Sequence, residues 1–205
     1  MNIEQRKKEF IKIFKLSEKH YAYDKKRLAA EGWKEHWQTL FATILSAQTR
    51  DETTIPIAEE LFKKKTLEQI AKSLPLDIKK IIHSINYNNT KAEHLVQAAQ
   101  LLVKNHNGKV PSKIEELLLI PGVGRKTANL ILGEIYGKDA ICVDTHVHRI
   151  SNVFGFVKTL TPEETEKELM KIAPKKYWTK INRIFVLWGK EVPGYDKSKF
   201  LEKIK

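Results

Sequence analysis

The stretch that decides the fold is SKIEELLLIPGVGRKTANLILGEIYG, residues 112–137. Ser112-Lys-Ile-Glu115 has the form of a capping box opening an apolar helix that ends near Ile120. Pro121 stops that helix, Gly122 and Gly124 turn the chain, and a second apolar helix begins near Thr127. Two helices joined by so tight a turn present consecutive backbone N–H groups at the start of the second, which is a ready anion site. Two commoner glycine motifs fail here. A phosphate-binding Walker loop needs glycine directly before the Lys-Thr pair, where Arg125 stands; a dinucleotide fingerprint needs a preceding strand and a third glycine at 127, where Thr127 follows a helix. What remains is a helix–hairpin–helix for a nucleic-acid phosphate, with Gly122, Val123, Gly124, Arg125 and Thr127 as its contact residues.

Outward from the hairpin the apolar period stays helical. HWQTLFATILSAQ, 36–48, is too long and apolar for a surface strand and reads as a buried helix. Thr66-Leu-Glu-Gln69 and Thr161-Pro-Glu-Glu164 are further capping boxes, the second with Pro162 at the first helical position. Alanines and leucines three and four apart fill 91–106, and no run alternates with period two. In the basic first helix, IEQRKKEFIKIFKL, Ile3, Phe10, Ile13 and Phe14 are placed to pack. The expected class is all-α, with about ten short helices.

Composition narrows the function. A content of 41% hydrophobic and 30% charged residues is that of a globular chain rather than a disordered one. The single cysteine, Cys142, forbids an intrachain disulfide and any four-thiolate metal site. MNIEQRKKEF lacks the apolar core of a signal peptide, and no apolar run approaches the roughly 18 residues of a membrane span. A cytoplasmic address is therefore expected, nucleoid-associated in a prokaryote. The 37 Lys and Arg exceed the 25 Asp and Glu, for a formal charge of +12. That balance suits nucleic acid, anionic membrane or an acidic protein, or simply a solvated basic surface; the hairpin selects nucleic acid.

Two residues carry candidate chemistry. Lys126 places a cation at the positive end of a helix dipole beside the like charge of Arg125, which costs stability unless it has a use. An unprotonated lysine there is a nucleophile, and an ammonium there pairs with phosphate; both readings are physically natural. Asp144, 18 positions on in ICVDTHVHRISN, adds a carboxylate that hinders approach to polyphosphate unless it does chemistry. It also suits the N-cap of a helix starting at Thr145. His146 and His148, at i and i+2, point to different sides of that helix and make a poor metal pair, so no metal is expected. One of the two is expected to pack or touch phosphate, His146 being the DNA-contact candidate, and the other to be solvated.

LIPGVGRKTANLIL (119–132) followed by VDTHVHRISN (143–152) resembles the endonuclease III branch of the helix–hairpin–helix DNA glycosylases. The likeness extends through LSAQTRD (45–51), INYNNTKAEHL (85–95) and HNGKVP (106–111) in the same order. The resemblance implies a two-domain helical glycosylase: a six-helix barrel domain over 29–138 with the hairpin, and a second helical domain from 1–28 plus 139–205, with the active cleft between them. It implies Lys126 as nucleophile and Asp144 as catalytic aspartate, Gln48 as the residue entering the duplex gap, and Tyr87 as the wedge. It also implies a base-excision enzyme with AP-lyase activity on damaged pyrimidines in double-stranded DNA, acting as a monomer, with thymine or uracil opposite guanine as an alternative substrate. A non-catalytic hairpin DNA-binding protein is the alternative from another class.

The sequence departs from the family in two places. Most members hold an iron–sulfur cluster on C-x6-C-x2-C-x5-C; aligned from KINRIFVLWGKEV, the first three cysteines would fall on Val192, Lys199 and Glu202, and the fourth past Lys205. No cofactor is expected, although a monovalent cation at the hairpin is compatible. Packing by Trp178, Phe185, Trp188, Tyr195 and Phe200 is expected to hold the tail instead, with Lys197, Lys199, Lys203 and Lys205 supplying charge. The second departure is Asn86-Tyr87, where glycine and an aliphatic residue are frequent; Asn86 is expected to take the left-handed turn.

Overall fold

Side chains able to cap set where several of the helices begin. Asn2, Thr66 and Thr161 each accept from the backbone N–H three residues on, and Gln5, Gln69 and Glu164 reach back to complete three capping boxes. The computed structural model describes residues 1–205. Its helices are α1 (Ile3–Tyr21), α2 (His36–Ser46), α3 (Asp51–Lys64), α4 (Leu67–Ala71), α5 (Pro75–Ile81) and α6 (Asn88–His106). There follow α7 (Ile114–Leu117), α8 (Arg125–Tyr136), α9 (Thr145–Val153), α10 (Pro162–Ile172), α11 (Trp178–Glu191) and α12 (Lys197–Lys203), with a 3-10 turn at Lys175–Tyr177. There is no strand, and no helix is long and apolar enough to cross a membrane. The chain forms two compact units, Arg27–Tyr136 and Met1–Lys26 with Gly137–Lys205.

The Arg27–Tyr136 unit is built around α2, whose residues Thr39 to Leu45 are all buried. α2 meets α3, α6 and α8, while α4 and α5 lie on α6. Ala92, Ala98 and Ala99 on the buried face of α6 let its neighbours come close, and Leu95 and Leu102 fill the space between. Trp33 and Trp37 both set their rings edge-on to Phe62, at 5.0 and 5.1 Å.

The other unit has an aromatic core. Phe10 stacks on Phe14 at 5.6 Å and meets Phe156 edge-on at 5.3 Å; Phe154 links Phe156 to Trp188. Phe200 of α12 completes the group, 5.2 Å from Trp188 with the rings nearly perpendicular. The Trp188 indole donates to the Phe200 carbonyl, so α12 is fixed by backbone as well as ring. Two residues expected to pack do not: Tyr195 is 76% exposed and Ile3 46%. Tyr195 lies in the bend ahead of α12, and Ile3 in the first turn of α1, each outside the aromatic core.

The hairpin differs from its sequence reading at both ends. The N-cap of the first helix is Lys113, which has no capping oxygen, so the Ser112 box does not form and α7 is a single turn. Lys113 pairs with Glu116 at 3.6 Å instead. α8 starts two residues earlier than expected, because Ala128 N–H already closes a helical turn onto the Gly124 carbonyl. Likewise the buried helix ends at Ser46, before Gln48.

Candidate functional site

The hairpin turn is fixed by glycine at one position above all. Gly122 has φ +83, and a Cβ there would lie 3.1 Å from both His94 Nδ1 and Ile44 Cγ2, so a side chain would be strained in backbone and crowded by its neighbours. Val123 donates its N–H to Ile120 and buries its side chain, anchoring the loop. Gly122, Gly124, Arg125 and Lys126 are exposed. Thr127 is buried with Ala128 and Asn129, so the first turn of α8 points Lys126 outward and Thr127 inward. Of the five residues expected to contact phosphate, Val123 and Thr127 are buried, while Gly122, Gly124 and Arg125 are exposed.

Asp144 is the N-cap of α9. One carboxylate oxygen, Oδ1, accepts from His146 N at 3.0 Å and Val147 N at 2.9 Å, satisfying two N–H groups at the helix start and fixing the side chain. The extended segment before it is anchored by the burial of Ile141, Cys142 and Val143, and by Asn182 Nδ2 donating to the Cys142 carbonyl. His146 packs against α11: a Cβ on Gly189 would come within 2.4 Å of its Nδ1. His148 is half-buried rather than fully solvated, its Nδ1 lying 2.7 Å from Thr165 Oγ1 in a polar cluster with Asn152 and Thr159. Arg149 donates to the Gly189 and Gly194 carbonyls and ties α9 to the start of the tail. Within this unit a hollow of about 460 Å³ opens beside the first turn of α9, lined among others by His146, Arg149, Lys190 and Tyr195.

Gln48 and Tyr87 are exposed, and both have left-handed backbone, φ +55 and +57. The left-handed residue at the second loop is therefore Tyr87 and not Asn86. Asn86 is occupied elsewhere: its Nδ2 donates to the Gln48 carbonyl at 2.6 Å and its N–H to Thr49 Oγ1 at 3.3 Å. The loop carrying Gln48 is held by a residue the sequence reading missed. Lys91 is only 6% exposed, and its Nζ donates to Leu45 O, Ala47 O and Thr49 Oγ1 at 2.7, 2.6 and 3.2 Å. A signal was present: Lys91 shares the helical register of Leu95, Ala98 and Leu102, an apolar stripe on which a lysine is out of place.

The profile of the HhH-GPD superfamily base excision DNA repair proteins matches residues 41–175, a span that includes both loops, the hairpin and Asp144. The chain belongs to that superfamily. Among HhH-GPD relatives, endonuclease III of Thermotoga maritima is 45% identical over 157 residues, 76% of this chain and 74% of the relative. Endonuclease III of Rickettsia conorii is 35% identical over 182 residues, 88% and 85% of the two chains. A solved structure of a trapped endonuclease III–DNA covalent intermediate superposes with a TM-score of 0.84 at 31% identity, covering 90% of this chain and 86% of that one.

The iron–sulfur cluster that the family resemblance implies does not fit these residues. The lone thiol, Cys142, is buried ahead of α9, and of the matching positions Val192 is a buried aliphatic while Lys199 and Glu202 are exposed. Four thiolates cannot be assembled from one cysteine.

Proposed function

We propose that this HhH-GPD chain is a bifunctional DNA glycosylase and AP lyase that removes damaged, chiefly oxidised, pyrimidines from double-stranded DNA. The observation that carries the reading is Lys126: an exposed lysine in the first turn of α8, directly behind the Pro121–Gly124 turn, in a chain 45% identical to an endonuclease III. An endonuclease III of solved structure has been trapped as a covalent intermediate with DNA, and an amine at position 126 is the natural group to form such a bond here.

In the reaction we assign, the target nucleotide leaves the stack, Tyr87 fills the vacated space, and Gln48 meets the orphaned base. Asp144, fixed through Oδ1, stabilises positive charge developing on the sugar and takes a proton from the Lys126 ammonium. The Nζ lone pair bonds to C1′ as the glycosidic bond breaks, and that bond's electron pair leaves with the base. Opening of the sugar ring, with the proton passing from Nζ to O4′, gives a protonated Schiff base. This draws electrons from C2′, so a 2′ proton is lost and the 3′ C–O bond breaks, nicking the strand. Base release is assigned to Lys126 with Asp144, the later steps run through the Lys126 Schiff base, and we assign no cofactor. We place the enzyme in the cytoplasm, nucleoid-associated where the cell is prokaryotic, and working as a monomer.

Incubation with an abasic-site duplex and borohydride tests this. Wild type should give an irreversible protein–DNA adduct, and Lys126→Gln should give none while still binding DNA. Asp144→Asn should slow base release more than abasic-site trapping. An untrapped wild type would leave a DNA-binding protein without the lyase route. A panel of lesion duplexes, oxidised pyrimidines beside thymine and uracil opposite guanine, reads the substrate.

A further inference from the structure

Lys91 occupies a position that an apolar side chain would fill more cheaply. It lies on the buried stripe of α6, and burial pushes its ammonium down to about 8 from the ordinary lysine range. In return it spends three donors, its full complement, on one short loop. Two of the acceptors, Leu45 O and Ala47 O, are carbonyls at the end of α2, where the helix dipole is negative and a cation is favoured. The next residue is Gln48, in left-handed backbone that a non-glycine side chain adopts only when its surroundings hold it there.

The same lysine is bound to the other loop through its own backbone. Lys91 N–H donates to the Tyr87 carbonyl at 3.0 Å in the first turn of α6, and Asn86, next to Tyr87, grips the Gln48 carbonyl and Thr49 Oγ1. Thr49 Oγ1 thus receives from both Lys91 and Asn86. The two strained, exposed residues are joined by a closed set of bonds with a buried cation at its base.

We propose that Lys91 is a positioning residue which, with Asn86, clasps the 45–49 and 86–91 segments into one rigid probe that holds Gln48 and Tyr87 together for entry into the duplex. The inference rests on the glycosylase reading given above, and concerns the opening of the duplex rather than the bond-breaking at the sugar. A substrate that needs no gap to be filled should be indifferent to the clasp. A paired lesion should depend on it, since a misplaced positioning group costs on the order of 100-fold in rate.

The test uses the full chain, first confirming wild-type borohydride trapping, so that failure of the glycosylase reading is seen separately. Lys91→Met keeps the aliphatic stem and removes the donors. Its excision of a paired lesion from duplex DNA should fall by about 100-fold, while trapping on a single-stranded abasic oligonucleotide stays at the wild-type level. With 2-aminopurine as the orphan base, the fluorescence change on binding should shrink in the same variant. Asn86→Ala, an exposed change that empties no core, should show the same selective loss at smaller size, and carries the test alone if Lys91→Met is insoluble. Equal losses on both substrates, or no loss on the duplex, would overturn the proposal.

Discussion

Phe200→Ala takes apart the contact that holds the C-terminal helix. The ring is completely buried, 5.2 Å from Trp188 and 6.1 Å from Phe154, with the Arg149 guanidinium 5.4 Å above it. Removing a fully buried phenylalanine costs about 3–5 kcal/mol, since the cavity is not refilled. For a chain of this size each kcal/mol moves the melting temperature by about 2–4 °C, so a fall of roughly 6–20 °C is expected in thermal denaturation followed by circular dichroism. Phe200→Leu keeps most of the volume and gives up the edge-on pairs, worth about 0.5–1.5 kcal/mol each, and should fall between the two. Truncation after Pro193 should destabilise at least as much, because it also removes the Trp188–Phe200 backbone bond and the Lys203–Glu191 pair. A shift below about 2 °C for Phe200→Ala, or an unchanged melt after truncation, would refute the view that packing holds this tail.

Gly189→Ala should destabilise, against the usual gain of about 1 kcal/mol for that exchange inside a helix. The new Cβ meets His146 Nδ1 at 2.4 Å and Cγ at 2.9 Å, and adding His146→Ala should relieve the loss in a double-mutant cycle. Acid should loosen the end of α11. Burial opposes ionisation of Glu191, but bonds from Lys203 and Tyr21 outweigh it and hold the carboxyl below its ordinary range. Its stabilisation is therefore full above the usual carboxylate range and lost as pH falls through the folded value, and Glu191→Gln should flatten urea-measured stability against pH there. Tyr87→Gly should separate stability from function. It relieves left-handed strain of about 1–2 kcal/mol, offset by glycine's own entropy, so the melt should hold or rise while excision from duplex DNA falls.

What could be read from the sequence was what is settled within a few residues. The Thr66 and Thr161 boxes formed because each threonine is followed directly by the helix it caps. Ser112 has the same spacing but stands one residue too early, with the extended Lys113 between it and the helix. Asp144 could be placed as an N-cap for the same local reason. Bonds to distant segments could not be read in this way. Asn86 looked like the residue to bend the chain, yet its amide is committed to a carbonyl 38 positions away, and the bend falls on Tyr87. Tyr195 and Trp188 are both large aromatics near the chain end; only the three-dimensional course of α11 and α12 separates the one in solvent from the one in the core.

The two lysines stand in opposite settings, one buried at the negative end of a helix and the other exposed at the positive end of one. Lys91 sits buried at the negative end of α2, where its charge is welcome and three acceptors wait for it. Mutating it should therefore move geometry. Lys126 stands exposed at the positive end of α8 beside Arg125, where the dipole opposes a cation and no apolar core demands the side chain. As an exposed side chain outside the core it contributes little to the fold, so replacing it should move stability by no more than about 0.5 kcal/mol. That expectation separates the two residues without any assay of activity. If Lys126→Gln proved as destabilising as Lys91→Met, Lys126 would be serving the fold, and the case for it as the nucleophile would lose its physical basis.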